Sequence, residues 1–383
     1  MMQSYGRGFI ERGCVYQRFR LLTHHGAIPH QRCHISSLSL VNMAIVAPVG
    51  FNALQRADMN AAVAMVRKYD PVAYTPGLFL PTRESRLGYF AIRSFWVQTG
   101  LRLSPLPNFA TKEMTAVEIA TPTIMEEERI RRWKVGIQTL FEGVDDDDTN
   151  YAWSTDPTLR LLRHLLQNHR LSKRYFESIL DARLRDVSVK QYETVQDLID
   201  HGSASCGNLI SLVLELEGVP NIVTDEPSSS SQIYLAAKEI GIAHGLTNAL
   251  RGSIPVLSTT GKLIVPAELC VKHGVKTPRY LLSALALGDG EGKKVLQSAV
   301  HDLVDYARSY LEKARKRRDR VLSEPGGEVA VRAFLPGLAS ETFLDRLERK
   351  SFDLTDQNLR TIRLVEHVRC ALKLYDASVQ KKY

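Results

Sequence analysis

The residues best placed to do chemistry lie along one predicted helix, 240–255, and are His244, Asn248 and Arg251. Apolar residues recur beside them at steps of three and four, which predicts that a neighbouring face of this helix is buried. Those apolar residues are Ile240, Ala243, Leu246 and Leu250. Taken alone, the pattern favours a core helix with a polar edge, whose histidine and asparagine hydrogen-bond to neighbours. No Asp or Glu occurs from residue 240 to 267, so the helix lacks the oxygen ligands that Mg²⁺ prefers.

The composition is that of a globular protein with a sizeable core, because 44% of the 383 residues are hydrophobic. No run approaches the roughly 18 consecutive apolar residues that a membrane-spanning helix needs. The formal net charge of +8 is compatible with anionic lipid or nucleic acid, but charge alone does not choose between them. Cysteines are widely spaced and form no Cys-x-x-Cys pair, which argues against a disulfide framework and a zinc site. They are Cys14, Cys33, Cys206, Cys270 and Cys370.

The first 57 residues, Met1 to Ala57, are rich in arginine and contain a single acid, Glu11. This composition is typical of a mitochondrial transit peptide, whereas the alternative is a disordered cytosolic tail. A secretory signal is disfavoured because the apolar run 41–49 lies too far from the start. We therefore expect a leader over residues 1–57 and one helical domain over 58–383. The arginines of the leader are Arg7, Arg12, Arg18, Arg20, Arg32 and Arg56.

Beyond this leader the sequence predicts helix after helix without convincing alternating strands, so we expect an all-α fold. Asp58 or Asn60 is expected to cap the first helix. Asp156 followed by Pro157, and Thr194 with an acid three residues later, are typical of later helix starts. The predicted helices span residues 58–69, 83–101, 123–141, 156–169, 172–185, 194–218, 240–255, 267–274, 289–321, 331–338, 341–349 and 358–379.

Two charged runs need a separate interpretation. The acidic run 145–148 predicts a solvated linker, because consecutive carboxylates on a loop repel one another and cannot surround a metal ion. The basic run 313–320 favours a solvated face at a helix C-terminus, with anionic lipid as the second interpretation. Nucleic acid ranks third because no aromatic residues interleave with the charges as a stacking platform would require. The sequence contains neither an internal repeat nor a glycine-rich phosphate loop.

Several stretches together resemble one enzyme family. Residues 241–251, Gly-Ile-Ala-His-Gly-Leu-Thr-Asn-Ala-Leu-Arg, resemble the second signature of the squalene and phytoene synthase family. Tyr69-Asp70, Leu80-Pro81 and residues 89–95 resemble the opening of the same enzymes. The resemblance covers roughly residues 60–374 and implies the isoprenoid-synthase fold, a helical bundle around a central cavity. It also implies a candidate lining for a vestigial cavity: Tyr89, Arg93, His244, Asn248 and Arg251.

The sequence departs from this family at both of its acidic motifs. A prenyl diphosphate leaves only when Mg²⁺ neutralises it, and the family holds Mg²⁺ with carboxylates on two facing helices. No acid occurs from residue 85 to 112 or from 240 to 267. We therefore expect no catalytic residues, no metal site and no cofactor, and nothing in the sequence arranges a hydrolase triad. The residues at the acidic positions are Gly100, Leu101, Ser104, Gly252, Pro255 and Val256.

A mitochondrial leader on such a domain resembles the members of this family that assemble respiratory complex I. The resemblance implies a non-catalytic factor acting early in assembly at the matrix face of the inner membrane. Its expected partners are complex I subunits or assembly intermediates, with peripheral attachment to the membrane and no binding of nucleic acid. Two alternatives stay open: an active prenyl-diphosphate transferase, which the missing acids disfavour, and a matrix nucleic-acid binder, which only the net charge supports.

Overall fold

The computed structural model describes residues 51–100, 122–142, 155–219, 231–275, 281, 290–360, 364–381 and 383. Every regular element in these ranges is a helix, which confirms the all-α prediction. Most of the predicted leader, the acidic run 145–148, Leu101 and Ser104 lie outside the described residues.

Sixteen helices and one π-helical segment can be followed along the described ranges. The first eight are α1 Ala53–Tyr69, α2 Pro71–Leu78, α3 Arg83–Gly100, α4 Pro122–Glu142, α5 Pro157–Asn168, α6 Lys173–Ser188, α7 Val195–Gly202 and α8 Asn208–Leu216, with the π-helical segment Ser203–Gly207 between α7 and α8. The remainder are α9 Gln232–Thr260, α10 Ala267–His273, α11 Gly290–Lys316, α12 Arg318–Ser323, α13 Gly327–Ala333, α14 Leu335–Glu348, α15 Gln357–Arg360 and α16 Leu364–Val379.

The first helix begins earlier than the sequence suggested. Its N-cap is Asn52, whose side chain accepts a 2.8 Å hydrogen bond from Gln55 N, while the Gln55 side chain accepts one from Asn52 N at 3.0 Å. This reciprocal capping box satisfies two backbone donors and fixes the start of α1. The prediction that Asp58 or Asn60 caps the helix was therefore wrong. Asp58 is instead buried and forms an ion pair with Arg160 of α5 at 2.6 Å.

Two later helix starts follow the sequence prediction. Asp156 accepts hydrogen bonds from the backbone N–H groups of Thr158 at 2.8 Å and Leu159 at 3.0 Å, and Pro157 opens α5. Thr194 and Asp197 form a capping box at the start of α7. These short-range patterns depend on neighbours only three residues away, so tertiary packing does not alter them.

Several predicted helix boundaries move once the chain is packed. Helix α9 runs through Pro255 to Thr260, so this proline does not end the helix, although it removes one backbone hydrogen bond and crowds the carbonyl of Arg251. The predicted helix 194–218 contains the π-helical segment, and the predicted helix 289–321 is interrupted at Arg317. A helix end predicted near residue 338 is instead at Ala333, because Pro336 lies in the first turn of α14.

Helix α9 joins the two main parts of the core. Its first half packs into a cluster with α1, α3, α5, α6 and α8, and its second half into a cluster with α10, α11 and α14. The predicted apolar face is buried as expected. Two glycines of α9 let its backbone approach the end of α7 and the π-helical segment, since a Cβ on Gly241 would lie 2.3 Å from Gly207 Cα. A Cβ on Gly245 would lie 2.7 Å from Gly202 Cα.

No helix in the described ranges has both the length and the apolar character required to cross a membrane.

Candidate functional site

A cavity of about 430 Å³ lies between α3, the end of α6, the π-helical segment and the middle of α9. The extended segment 262–264 that follows α9 closes one side of it. Helix α3 contributes Trp96, Val97 and Gly100, and α9 contributes one side of each turn from Gly245 to Val256. The volume falls in the range that small-molecule sites occupy.

The five residues that the family resemblance placed along a cavity divide into two groups. Asn248 and Arg251 line the cavity. Tyr89, Arg93 and His244 are buried to 2% exposure or less and lie among packed helices, where they are not part of the cavity lining. The two groups therefore differ in what they can contact: Asn248 and Arg251 can meet a ligand, whereas the buried three contact other parts of the chain.

A buried ion-pair cluster holds the second group in place. The Asp70 carboxylate is fully buried and lies 3.5 Å from Arg93 Nη1 and 3.3 Å from Arg251 Nη2. Burial raises the pKa of Asp70, but the two guanidinium groups and the other neighbours outweigh it and the net pKa is lowered. Since Asp70 lies between α1 and α2, this cluster ties the beginning of the domain to α3 and α9.

His244 is a neutral member of this cluster. Its Nε2 lies 3.3 Å from Arg93 Nη1, which can only donate, so Nε2 accepts and the ring proton is on Nδ1. The Nδ1–H group donates to Ser340 Oγ at 2.8 Å, and the Ser340 hydroxyl donates a hydrogen bond to Pro336 O at 2.9 Å. Burial and then the charge of Arg93 lower the pKa of His244 to about 3. The imidazole therefore positions Arg93 and cannot act as an acid or base near neutral pH.

Tyr89 is likewise structural. Its hydroxyl donates to the carbonyl of Ala73 at 2.8 Å, which links α3 to α2. Burial raises the pKa of this phenol to about 12, so it stays protonated under physiological conditions. The guanidinium of Arg93 lies 5.3 Å from the Tyr89 ring centroid, within range of a cation–π contact.

The described lining of the cavity does not have the side chains that a synthase-type metal site requires. Gly100, Gly252, Pro255 and Val256 line the cavity, and these are four of the positions that the family resemblance aligned with acids. The carboxylate among its described lining residues, Asp186, accepts a hydrogen bond from the Tyr192 hydroxyl and lies 3.3 Å from His201 Nδ1. One engaged carboxylate cannot hold Mg²⁺ together with a diphosphate. In the described part of the chain, no three side chains of a metal-ligating type lie close together.

Cationic side chains take the place of the missing acids. The guanidinium of Arg183 lies 4.7 Å from the Trp96 ring centroid. A Cβ on Gly100 would lie 2.8 Å from Arg183 Nη2, so Arg183 fills the space beside the first acidic position. Lys262 donates to the carbonyl oxygens of Asp186 at 2.9 Å and Val187 at 2.7 Å, which fixes its charge at the cavity wall.

No pattern in the sequence indicated this arrangement. Arg183 lies on α6 and Gly100 ends α3, and the helices between them separate the two residues widely along the chain. Local periodicity describes which face of one helix is buried, but it does not tell which helix will face it. Arg183, Asp186 and Lys262 were consequently missed as cavity residues.

The fold agrees with comparisons to known proteins. A profile of the squalene/phytoene synthase family matches residues 66–366, so the chain belongs to that family. Among solved structures, a dehydrosqualene synthase superposes with a TM-score of 0.60 at 18% identity, covering 86% of this chain and 98% of that one. The squalene synthase HpnC from Alicyclobacillus acidocaldarius superposes with a TM-score of 0.56 at 17% identity, covering 79% and 97%. These likenesses confirm the isoprenoid-synthase type of fold.

Relatives with similar sequences carry a different kind of name. The Drosophila melanogaster protein named NADH dehydrogenase (ubiquinone) complex I, assembly factor 6 homolog is 28% identical over 296 residues, 77% of each chain. The Homo sapiens protein named NADH dehydrogenase (ubiquinone) complex I, assembly factor 6 is 25% identical over 319 residues, 83% of this chain and 81% of its own. The similarity thus extends over most of both chains.

Proposed function

We propose that this protein assists the assembly of mitochondrial respiratory complex I and does not convert prenyl diphosphates. The observation that carries the proposal is the pairing of a synthase fold with a cavity whose acidic positions hold Gly100, Gly252, Pro255 and Val256. Without carboxylates on two facing helices, Mg²⁺ cannot neutralise a leaving diphosphate. The fold is retained while the metal chemistry of the family is not.

The relatives support the role. Complex I assembly factor 6 proteins from an insect, mammals and a social amoeba are 24–28% identical to this chain over 77–83% of its length. The matching region extends over the helices that surround the cavity, and is not limited to one short motif. We further propose that the protein acts early in assembly, at the matrix face of the inner membrane, on complex I subunits or intermediates.

Composition predicted a leader over residues 1–57, and we propose that the leader is shorter than this. Phe51 is buried, and its ring packs edge-on against His164 with ring centroids 5.1 Å apart. Asn52 caps α1, so removal of residues up to 57 would delete a helix start and a core side chain. We propose that cleavage falls before Phe51. A reporter fused to residues 1–50 should enter mitochondria, and a cytosolic reporter would refute this targeting.

We propose that the protein attaches peripherally to the membrane through only some of the basic residues in the run 313–320. Arg315 and Arg317 of this run pair with Glu341 at 2.8 Å and Glu239 at 2.9 Å. Arg318 donates to the carbonyl of Lys381 at 2.9 Å, so three of the basic residues hold the fold together.

The exposed residues Lys313, Lys316 and Arg320 remain for contact with anionic lipid. Each such charge contributes about 1 kcal/mol near an anionic surface, so binding should be weak and salt-sensitive. High salt should release the protein from mitochondrial membranes, and retention in the pellet after salt and carbonate washes would contradict the proposal.

The function is tested by deleting the gene and measuring assembled complex I on native gels. We expect assembled complex I to fall, and wild-type protein to restore it. The Gly252→Leu variant fills the cavity beside the second acidic position. If this variant also restores assembled complex I, assembly does not depend on chemistry in the cavity. Purified protein with Mg²⁺ should not consume farnesyl or geranylgeranyl diphosphate. Normal amounts of assembled complex I in the deletion strain, or turnover of either prenyl diphosphate, would contradict the proposal and favour an active synthase.

A further inference from the structure

We propose that the cavity binds a phosphate-type anion directly through its cationic side chains, without a metal ion between them. The assembly role does not require this binding, and the binding does not require the assembly role. The proposal rests on a difference in charge: cationic side chains line this cavity, whereas the family's Mg²⁺ site is lined by carboxylates. Mg²⁺ needs several oxygen ligands, whereas this lining offers mainly guanidinium and ammonium groups.

The charge balance of the described lining is strongly positive. Arg183, Lys190, Arg251 and Lys262 face a single carboxylate, Asp186. Arg251 is partly neutralised by Asp70, but Asp70 also pairs with Arg93, so the three together keep a positive charge. Within the described ranges no carboxylate lies within ion-pair distance of Arg183. A divalent cation entering this space would be repelled, and an anion would be attracted.

Two buried donors in the cavity wall have no hydrogen-bond partner among the described residues. They are the Nε atom of Arg183 and the Nη1 atom of Arg251, and both residues line the cavity. Most buried polar groups in folded proteins are satisfied, so the described chain leaves part of the hydrogen-bonding capacity of both guanidinium groups unused. A phosphate oxygen is the acceptor that suits them, because guanidinium groups bind phosphate through paired N–H groups.

Arg183 is held ready for such a contact. Its guanidinium lies over the indole of Trp96, which restricts the plane of the group. Gly100 leaves the space that Arg183 needs, since any side chain at that position would meet Arg183 Nη2 at 2.8 Å. The glycine that removes an acid from the first motif therefore also admits the cation. The same glycine therefore accounts for the loss of a carboxylate and for the space that the guanidinium occupies.

An apolar wall adjoins the cationic side chains. A Cβ on Gly252 would meet only Ile264 Cδ1, at 3.8 Å, so open space lies beside this helix position. Pro255, Val256 and Leu263 line the same cavity. Burial of a chain against these residues would strengthen binding with each CH₂ group that is removed from water. A phosphate monoester with an alkyl chain should therefore bind more tightly than inorganic phosphate.

The test uses the full-length protein, calorimetry and a buffer that contains EDTA. The probes are inorganic diphosphate, dodecyl phosphate below its micellar concentration, and dodecyltrimethylammonium at equal chain length. We expect dodecyl phosphate to bind in EDTA, to bind more tightly than inorganic diphosphate, and to bind at least tenfold more tightly than the ammonium probe. Added Mg²⁺ and rising salt should weaken binding. Binding that appears only with Mg²⁺ would overturn the proposal, as would absence of binding.

Variants locate the site. Arg183→Gln should weaken both phosphate probes about tenfold or more, because a hydrogen bond to a charged group is lost. Arg308→Gln is the matched control, since this half-buried arginine pairs with Asp345 and Glu348 away from the cavity. Equal losses in the two variants would refute a specific site.

A second variant keeps the proposal testable if Arg183→Gln folds poorly. Gly252→Leu places a side chain into open space inside a helix, so the fold should not lose thermal stability. It should weaken dodecyl phosphate about tenfold while inorganic diphosphate binds as before. Unchanged dodecyl phosphate binding in a folded Gly252→Leu protein would place the chain elsewhere and contradict the assignment.

Discussion

Helix α9 contributes to two polar regions that differ in how their hydrogen bonds are satisfied. In the buried cluster, His244 contacts Arg93 and Ser340, and Asp70 contacts two guanidinium groups. In the cavity, one to two turns further along the helix, Asn248 Oδ1 and Arg251 Nη1 are buried and have no hydrogen-bond partner among the described residues. The first region has its partners within the chain, apart from Arg93 Nε, and so stabilises the fold. The second offers its unpaired groups to something outside the chain.

This comparison shows that a polar side chain on α9 is not for that reason alone part of a ligand site. The same helix presents a histidine with a firmly neutral ring and an arginine shared between a buried carboxylate and the cavity. What separates them is whether other helices reach the side chain. Helix α14 supplies Ser340 to His244, while no acceptor among the described residues reaches Arg251 Nη1 beside the cavity.

The largest effect should come from breaking the buried cluster. Asp70→Ala leaves Arg93 fully buried without its carboxylate, and should lower the free energy of unfolding by about 3–5 kcal/mol. Asp345→Ala is the control, because its ion pair with Arg308 is exposed and should be worth less than about 1 kcal/mol. Urea denaturation monitored by circular dichroism measures both. Similar midpoints for the two variants would mean that the cluster does not stabilise the fold.

The next effect concerns pH and separates the cluster from the cavity. The pKa of His244 is lowered from 6.5 to about 3 by burial, so below pH 6.5 the unfolded chain binds a proton that the folded chain does not. Stability contributed by neutral His244 is therefore present above pH 6.5 and is lost as pH falls, at about 1.4 kcal/mol per pH unit. His244→Gln should remove this part of the slope between pH 6.5 and 5. Parallel stability curves for wild type and variant would contradict the assignment.

The sequence predicted what depends on neighbours along one helix. The buried face of α9, the Asp156 cap and the capping box of Thr194 and Asp197 all follow from spacings of two to four residues. The Asn52 cap was missed although it has the same kind of signal. It lies inside an arginine-rich stretch whose overall composition was interpreted as a leader.

The sequence could not predict contacts that depend on how helices are arranged. Asp70 lies within 3.5 Å of Arg93 and of Arg251, which are far apart in the chain. The family resemblance marked Arg93 and Arg251 but gave both the same role. Only the packing of α3 against the first helices shows that Arg93 is buried and that Arg251 reaches both the carboxylate and the cavity. The absence of the acids could be predicted from the sequence, whereas the position of Arg183 beside Gly100 could not.

A smaller effect tests whether the cavity can regain the character of its family. Gly100→Asp restores a carboxylate beside Arg183, and the flexible end of the arginine can move to pair with it. We expect inorganic diphosphate binding to weaken about tenfold, or about 1.4 kcal/mol, because the new carboxylate competes for the guanidinium. Mg²⁺ should not bind at the restored position, since Arg183 neutralises it. Calorimetric titration with Mg²⁺ measures this, and tight Mg²⁺ binding would show that the cationic side chains do not control the site.

The smallest effect compares two glycines on α9. Gly252 lies inside the helix with its Cβ direction open to the cavity, so Gly252→Ala should raise the free energy of unfolding by roughly 0.5–1 kcal/mol through helix propensity alone. Gly241→Ala is the matched control, because its Cβ would lie 2.3 Å from Gly207 Cα and the two backbones would have to separate. Chemical denaturation should therefore give shifts of opposite sign. A destabilised Gly252→Ala would mean that the space beside this position is closed, and the proposed apolar wall of the anion site would then have no room for a chain.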